Sequence, residues 1–172
     1  MIGFWNPLPP AEGTLREKTP PMTALDYAKQ FAGGVWEAKL DKAIARLRFK
    51  VIMNGNAIES TGVVYIPPAK DAKPGTPSKT ILMMLTRYGY DPVEKSTYVL
   101  DIHNHDTVYL GHARVEGKVF VNDFTRQVGG PGHWIERTTL TDKDTMESVL
   151  YSIDEKSKQT EVERFTFKRV AK

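Results

Sequence analysis

The chain has 172 residues, of which 40% are hydrophobic and 26% are charged, and its formal net charge is +3. These values predict one globular domain that is large enough to bury a core. Lys and Arg are spread among Asp and Glu, so nucleic acid is not an expected partner. No run of about 18 apolar residues is present, so no membrane span is expected. The absence of cysteine excludes disulfides and cysteine-ligated zinc.

The first part of the chain, residues 1–22, is rich in proline and favours an extended arm. Phe4, Trp5 and Leu8 lie in this arm, which is either disordered or packed against the remaining domain, residues 23–172. The apolar segment of residues 1–5 is too short, and too soon followed by proline, to be a signal peptide. Two compartments remain possible: the protein is either cytoplasmic or exported, in the second case after removal of a leader.

One short amphipathic helix is predicted over Ala24–Ala32. Thr23 is a typical N-cap residue, and Asp26 occupies the acidic position of a capping box. Gly33-Gly34 ends the pattern. Apolar residues recur at helical spacing at Leu25, Ala28, Phe31 and Ala32.

Short alternating strands separated by polar turns fill the rest of the chain. Asn54-Gly55-Asn56 predicts a hairpin turn, and residues 67–78 predict a long loop. The apolar segment Lys79–Arg87 is expected to be buried on both faces. The predicted strands are Val35–Leu40, Ala45–Met53, Ile58–Ile66, Lys79–Arg87, one around Tyr98, Val108–Val115, Val119–Val128, Trp134–Leu140, Thr145–Ile153 and a last one ending near Val170. This order predicts a mainly β fold, an antiparallel up-and-down barrel of about 8–10 strands with one short N-terminal helix.

The region 23–170 resembles an uncharacterised bacterial family of lipocalin-like, calycin-type barrels. The resemblance rests on a short helix before Gly34-Val35-Trp36, on the segments 87–92 and 111–120, and on the Asp142-Lys143-Asp144-Thr145 turn. It implies that Trp36 on the first strand is covered by an arginine of the closing strand, Arg169, with Arg137 as the rival. It implies no agreed activity, so function has to be argued from sites.

A closed barrel has an interior, and its lining decides the function. The leading hypothesis is that the interior binds a small, largely apolar molecule, and that the protein is a monomer or a homodimer. The alternative is an interior filled solid by side chains. The candidate ligand-binding residues are Trp134, Met84, Tyr109, Phe124 and Glu136.

A second hypothesis is a cofactor-free enzyme, such as an isomerase, cyclase, hydratase or lyase, in the same interior. Asp101 alternates with His103, so a carboxylate and an imidazole share one face of a strand and can exchange protons. Tyr98 is the candidate third member of this catalytic group. These polar side chains could equally face water.

A third hypothesis is metal or haem binding through histidine. His103 and His105 have the spacing of residues on one strand face, and His112 would lie across a hairpin. Against this hypothesis, Asn104 and Asp106 favour a solvated turn. No metal is favoured, and haem is the only cofactor considered.

Overall fold

The computed structural model describes residues 22–171. The arm predicted for residues 1–22 therefore lies, except for Met22, outside the described residues. No helix in the described range is long and apolar enough to cross a membrane.

Helix α1 spans Ala24–Ala28 and continues as a 3-10 turn over Lys29–Phe31. Thr23 caps the helix, because its hydroxyl oxygen accepts a hydrogen bond from the Asp26 N–H at 3.0 Å. Gly33 follows with a φ of +80°, a conformation that favours glycine and turns the chain out of the helix. The helix therefore begins where the sequence predicts, and it ends one residue earlier.

Ten strands follow the helix, and they are numbered β1 to β10 in chain order. Their bounds are Val35–Lys39, Ile44–Ile52, Ala57–Ile66, Lys79–Asp91, Ser96–His103, Thr107–Glu116, Val119–Val128, His133–Asp142, Thr145–Ile153 and Gln159–Ala171.

The ten strands form one closed antiparallel up-and-down barrel, in which β1 pairs with β10. At this seam Trp36 lies opposite Arg169, and Glu37 lies opposite Lys168. Each of the ten strands is hydrogen-bonded on both sides, so none of them is an edge strand. The mainly β barrel with one N-terminal helix that the sequence predicts is confirmed, with a strand number at the top of the expected range.

The two ends of the barrel differ. Helix α1 packs at one end, where the Tyr27 hydroxyl donates to the Lys118 carbonyl in the β6–β7 turn at 2.6 Å. Antiparallel strands place alternate turns at alternate ends. The β1–β2, β5–β6, β7–β8 and β9–β10 turns and the loop of residues 67–78 therefore lie at the opposite end, called here the open end.

The helix end holds a dense aromatic core. Phe31 is 1% exposed, and its ring centroid lies 5.7 Å from that of Phe120. Trp36 is fully buried, and its indole N–H donates to the Phe31 carbonyl at 2.8 Å. Because helix and barrel share this core, the helix closes the barrel at this end.

Arg169 covers Trp36, and Arg137 does not. The Arg169 guanidinium carbon lies 4.2 Å from the Trp36 ring centroid, a cation–π distance. Its N–H groups also donate to the Ala32 carbonyl at 3.1 Å and to the Gly33 carbonyl. Arg137 lies on the other face of its strand and pairs with Glu116 at 2.7 Å.

Strand β4 is not buried on both faces, contrary to the prediction for Lys79–Arg87. Met83 is 53% exposed on its outer face, whereas Met84 faces the interior. The physical reason is that the barrel is a single layer. No helix of residues 22–171 packs outside it, so the outer faces of its strands are left in water.

Candidate functional site

The interior toward the open end is hollow. A cavity of about 670 Å³ lies among inward-facing side chains of β2 to β10. Ile81 and His105 line it and are exposed, so the cavity reaches solvent at the open end. Its volume falls in the range of about 300–1,000 Å³ that is typical of small-molecule sites.

One wall of the cavity, formed by β2, β3 and β4, is predominantly apolar. Leu47, Val64 and Met84 belong to this wall. Gly62 lies among them, and a Cβ at this position would lie 2.6 Å from the Met84 Cε. The missing side chain of Gly62 therefore gives Met84 the space that it occupies.

The adjoining strand β5, which pairs with β4, carries an aspartate–histidine pair. The His103 Nε2 lies 2.8 Å from one carboxylate oxygen of Asp101, and the Thr86 hydroxyl donates to the other at 2.8 Å. The side chains of Asp101 and His103 are only 13% and 18% exposed. This arrangement holds the imidazole in a fixed orientation beside the cavity, as general acid–base chemistry requires.

Tyr109 and Arg126 continue this wall across β6 and β7. The Tyr109 ring centroid lies 5.2 Å from that of His103. Its hydroxyl accepts a hydrogen bond from the Arg126 guanidinium at 3.3 Å. The cavity therefore contains a cation close to the aspartate–histidine pair.

A second polar group lies deeper, around Glu136 on β8. Its carboxylate accepts hydrogen bonds from the Ser148 hydroxyl at 2.6 Å and from the Asn122 amide at 3.0 Å. Asn122 also donates to the Tyr88 hydroxyl at 3.2 Å. Burial raises the pKa of Tyr88, and the Glu136 charge raises it further, so the phenol stays neutral.

The structure places the five candidate ligand-binding residues on the cavity wall. They come from four different strands: Met84 on β4, Tyr109 on β6, Phe124 on β7, and Trp134 and Glu136 on β8. The structure thus brings together side chains that are far apart in sequence.

Tyr98 does not belong to the catalytic group of Asp101 and His103, to which the sequence analysis assigned it. It is 40% exposed on the outer face of β5, where its hydroxyl donates to Glu94. Asp101 and His103 follow Tyr98 by three and five positions, and successive strand residues alternate faces, so their side chains point to the opposite face from that of Tyr98. Tyr109, by contrast, lies next to His103 on the cavity wall.

The three candidate histidines lie in two places. His103 and His105 both line the cavity, and His105 lies in the β5–β6 turn, where its Nε2 is 2.8 Å from the Ile81 carbonyl. His112 is on the outer face, 2.9 Å from the Ser96 hydroxyl. Within residues 22–171, no three His, Asp or Glu side chains are grouped so that they could hold a metal ion. Haem ligation stays a prediction.

Sequence reasoning missed two residues of the site. Thr86 contacts the candidate catalytic residue Asp101, and Arg126 contacts the candidate ligand-binding residue Tyr109. Phe120, Asn122, Phe124 and Arg126 alternate along β7, and all four line the cavity. That alternation was a usable signal once Phe124 was assigned to the interior.

No protein-family model matches this chain, and no curated protein matches its sequence. The geometry of the cavity therefore carries the functional argument.

Proposed function

We propose that the barrel binds a small, largely apolar molecule in the cavity at its open end. The observation that carries this proposal is an accessible cavity of about 670 Å³ with an apolar wall on β2–β4 and a few polar groups on β5–β8. Apolar walls supply affinity, since each methylene group removed from water contributes about 0.8 kcal/mol. The polar groups fix the orientation of the ligand.

The resemblance to calycin-type barrels is part of this proposal. It is supported by the short helix at one end of the barrel and by the contact between Trp36 and Arg169 at the seam. In this proposal, the β7–β8 turn and the loop of residues 67–78 control access at the open end.

Two adjacent methionines of β4 provide a matched test. Met84 lines the cavity, whereas Met83 is on the outer face. Met84→Trp fills the cavity and is expected to weaken binding of a neutral naphthylamine probe, followed by its fluorescence, by about tenfold or more. Met83→Trp adds the same side chain outside and is expected to leave binding unchanged.

Two results would contradict the proposal. One is that the neutral probe does not bind the native protein. The other is that Met83→Trp and Met84→Trp weaken binding equally, since the bound molecule would then lie outside the barrel.

A second candidate function, cofactor-free proton transfer, is favoured by the aspartate–histidine pair. The 2.8 Å contact between Asp101 and His103 lies on the wall of the same cavity. In this proposal the imidazole removes a proton from a carbon acid, and the carboxylate stabilises the imidazolium that forms.

A further inference from the structure

Arg126 is a cavity-lining arginine at the open end of the barrel. It belongs to the inward-facing row of β7, three residues before the β7–β8 turn residue Gly129. Its guanidinium carbon lies 5.5 Å from the Tyr109 ring centroid and 6.0 Å from that of Trp134. The cation therefore lies within cation–π distance of two aromatic rings and is only partly exposed.

The charge of Arg126 has no carboxylate partner among residues 22–171. Its guanidinium donates to the Gly129 carbonyl at 3.2 Å and to the Tyr109 hydroxyl at 3.3 Å, and both acceptors are neutral. A guanidinium has five N–H donors, and the buried Nε has no acceptor. A half-buried charge without a counter-ion is unfavourable, because its loss of hydration is not offset by an ion pair.

Arg126 differs in this respect from the other arginines of the described chain. Only Arg48, which is exposed on the outer face, also lacks a carboxylate within the 4.0 Å ion-pair distance. The arginines that do pair with a carboxylate are Arg46, Arg87, Arg114, Arg137, Arg164 and Arg169.

Trp134 adds a second donor without an acceptor beside Arg126. Its indole N–H is buried and has no hydrogen-bond partner among the described residues. A Cβ on Gly132 would lie 2.9 Å from this nitrogen and 3.6 Å from the Arg126 Nε, so the two donor nitrogens lie close together beside Gly132. Buried indole N–H groups usually find an acceptor, and none of residues 22–171 supplies one here.

The carboxylates of the cavity do not supply it. Asp101 accepts from Thr86 and contacts His103. Glu136 accepts from Ser148 and Asn122. These two are satisfied by other side chains. Neither of them, nor Glu163, the third carboxylate on the cavity wall, lies within ion-pair distance of Arg126.

We propose that Arg126, with Tyr109 and Trp134, forms the head-group site for a carboxylate-bearing amphiphile whose hydrocarbon body lies along the apolar wall. This inference rests on the proposed function and names the class of its ligand. A carboxylate is planar and accepts two parallel N–H bonds from a guanidinium. The apolar wall on β2–β4, with Leu47, Val64 and Met84, faces this site across the cavity.

Dodecanoate and dodecan-1-ol provide matched probes, since they share a chain and differ in the head group. Native protein is expected to bind dodecanoate about tenfold or more tightly than the alcohol, measured by displacement of the neutral naphthylamine probe. Arg126→Gln is expected to abolish this preference by weakening dodecanoate alone. Arg137→Gln, on the outer face, is expected to preserve it.

The affinity of Arg126→Gln for dodecan-1-ol also shows whether the variant folds. If the variant does not fold, the native protein still decides, because equal affinity for acid and alcohol overturns the proposal. Equal weakening of both probes by Arg126→Gln in a folded protein overturns it as well. If the native protein binds the alcohol and the acid equally well, the head-group site is refuted but the proposed function is not. If it binds neither compound, both proposals are refuted.

Discussion

The contact between Asp101 and His103 makes a prediction at the scale of single residues. If the pair transfers protons, native protein is expected to exchange the α-hydrogens of an apolar ketone, 2-tetralone, for deuterium from the solvent. His103→Gln removes the base and is expected to slow this exchange by about 100-fold or more, as followed by NMR. Binding of the neutral naphthylamine probe should not change.

His112 supplies the matched control for that substitution. It lies on the outer face of β6 beside Ser96, so His112→Gln is expected to leave the exchange rate unchanged. Equal exchange rates in native protein and His103→Gln would exclude the imidazole of His103 as the base.

Single residues also show how far the sequence could predict the site. Strand alternation predicts that Asp101 and His103 share a face, and both line the cavity. The same alternation places Tyr98 on the opposite face, so its exclusion could have been read from the sequence. Arg126 and Tyr109 are 17 residues apart, and only the register between β6 and β7 brings them together. That register is a property of the folded sheet.

At the scale of elements, Arg169 connects α1 to the barrel seam. It stacks on Trp36 and donates to the carbonyls that follow the helix. Lysine cannot reproduce both interactions, since it lacks the planar fork of N–H donors. Arg169→Lys is therefore expected to lower the free energy of unfolding by about 1–3 kcal/mol, measured by urea denaturation.

Arg137 on β8 is the control for Arg169. Its ion pair with Glu116 is exposed, and exposed pairs contribute about 0–1 kcal/mol. Arg137→Lys is expected to change the free energy of unfolding by less than about 0.5 kcal/mol. Equal losses in the two variants would mean that Arg169 has no special role in holding the helix.

Elements with strong turn or capping residues were the most predictable. The Thr23 cap and the Asn54-Gly55 turn act within a few residues, and helix and hairpin occur there. The burial predicted for strand β4 was wrong. A run of apolar residues does not distinguish a strand buried on both faces from a strand with one face on a cavity and the other in solvent. Met83 and Met84 are chemically identical, and only the barrel assigns them different surroundings.

At the scale of the whole molecule, the sequence predicts many antiparallel strands but not the size of the space that they enclose. Cavity volume depends on how ten strands curve and on which side chains reach the centre. The helix end is filled by aromatic rings such as Phe31 and Phe120. The open end is hollow, because the side chains that line it there leave about 670 Å³ unfilled.

Closure of the barrel between β1 and β10 can be tested directly, because the chain contains no cysteine. Glu37 and Lys168 lie opposite each other across this seam, so Glu37→Cys with Lys168→Cys is expected to form a disulfide on oxidation. The crosslink closes a loop that spans most of the chain. Oxidation is expected to raise the free energy of unfolding by up to about 5 kcal/mol relative to the reduced form, measured by urea denaturation.

Thr166 provides the off-register control for the seam, since it lies two residues from Lys168 along β10 and is also exposed. Diagonal positions two residues apart are separated by about 7–8 Å, beyond the reach of a disulfide. Glu37→Cys with Thr166→Cys should therefore stay reduced under the same conditions. Crosslinking of both pairs would show that β1 slides along β10. Crosslinking of neither would show an open sheet, and the enclosed cavity on which ligand binding depends would then not exist.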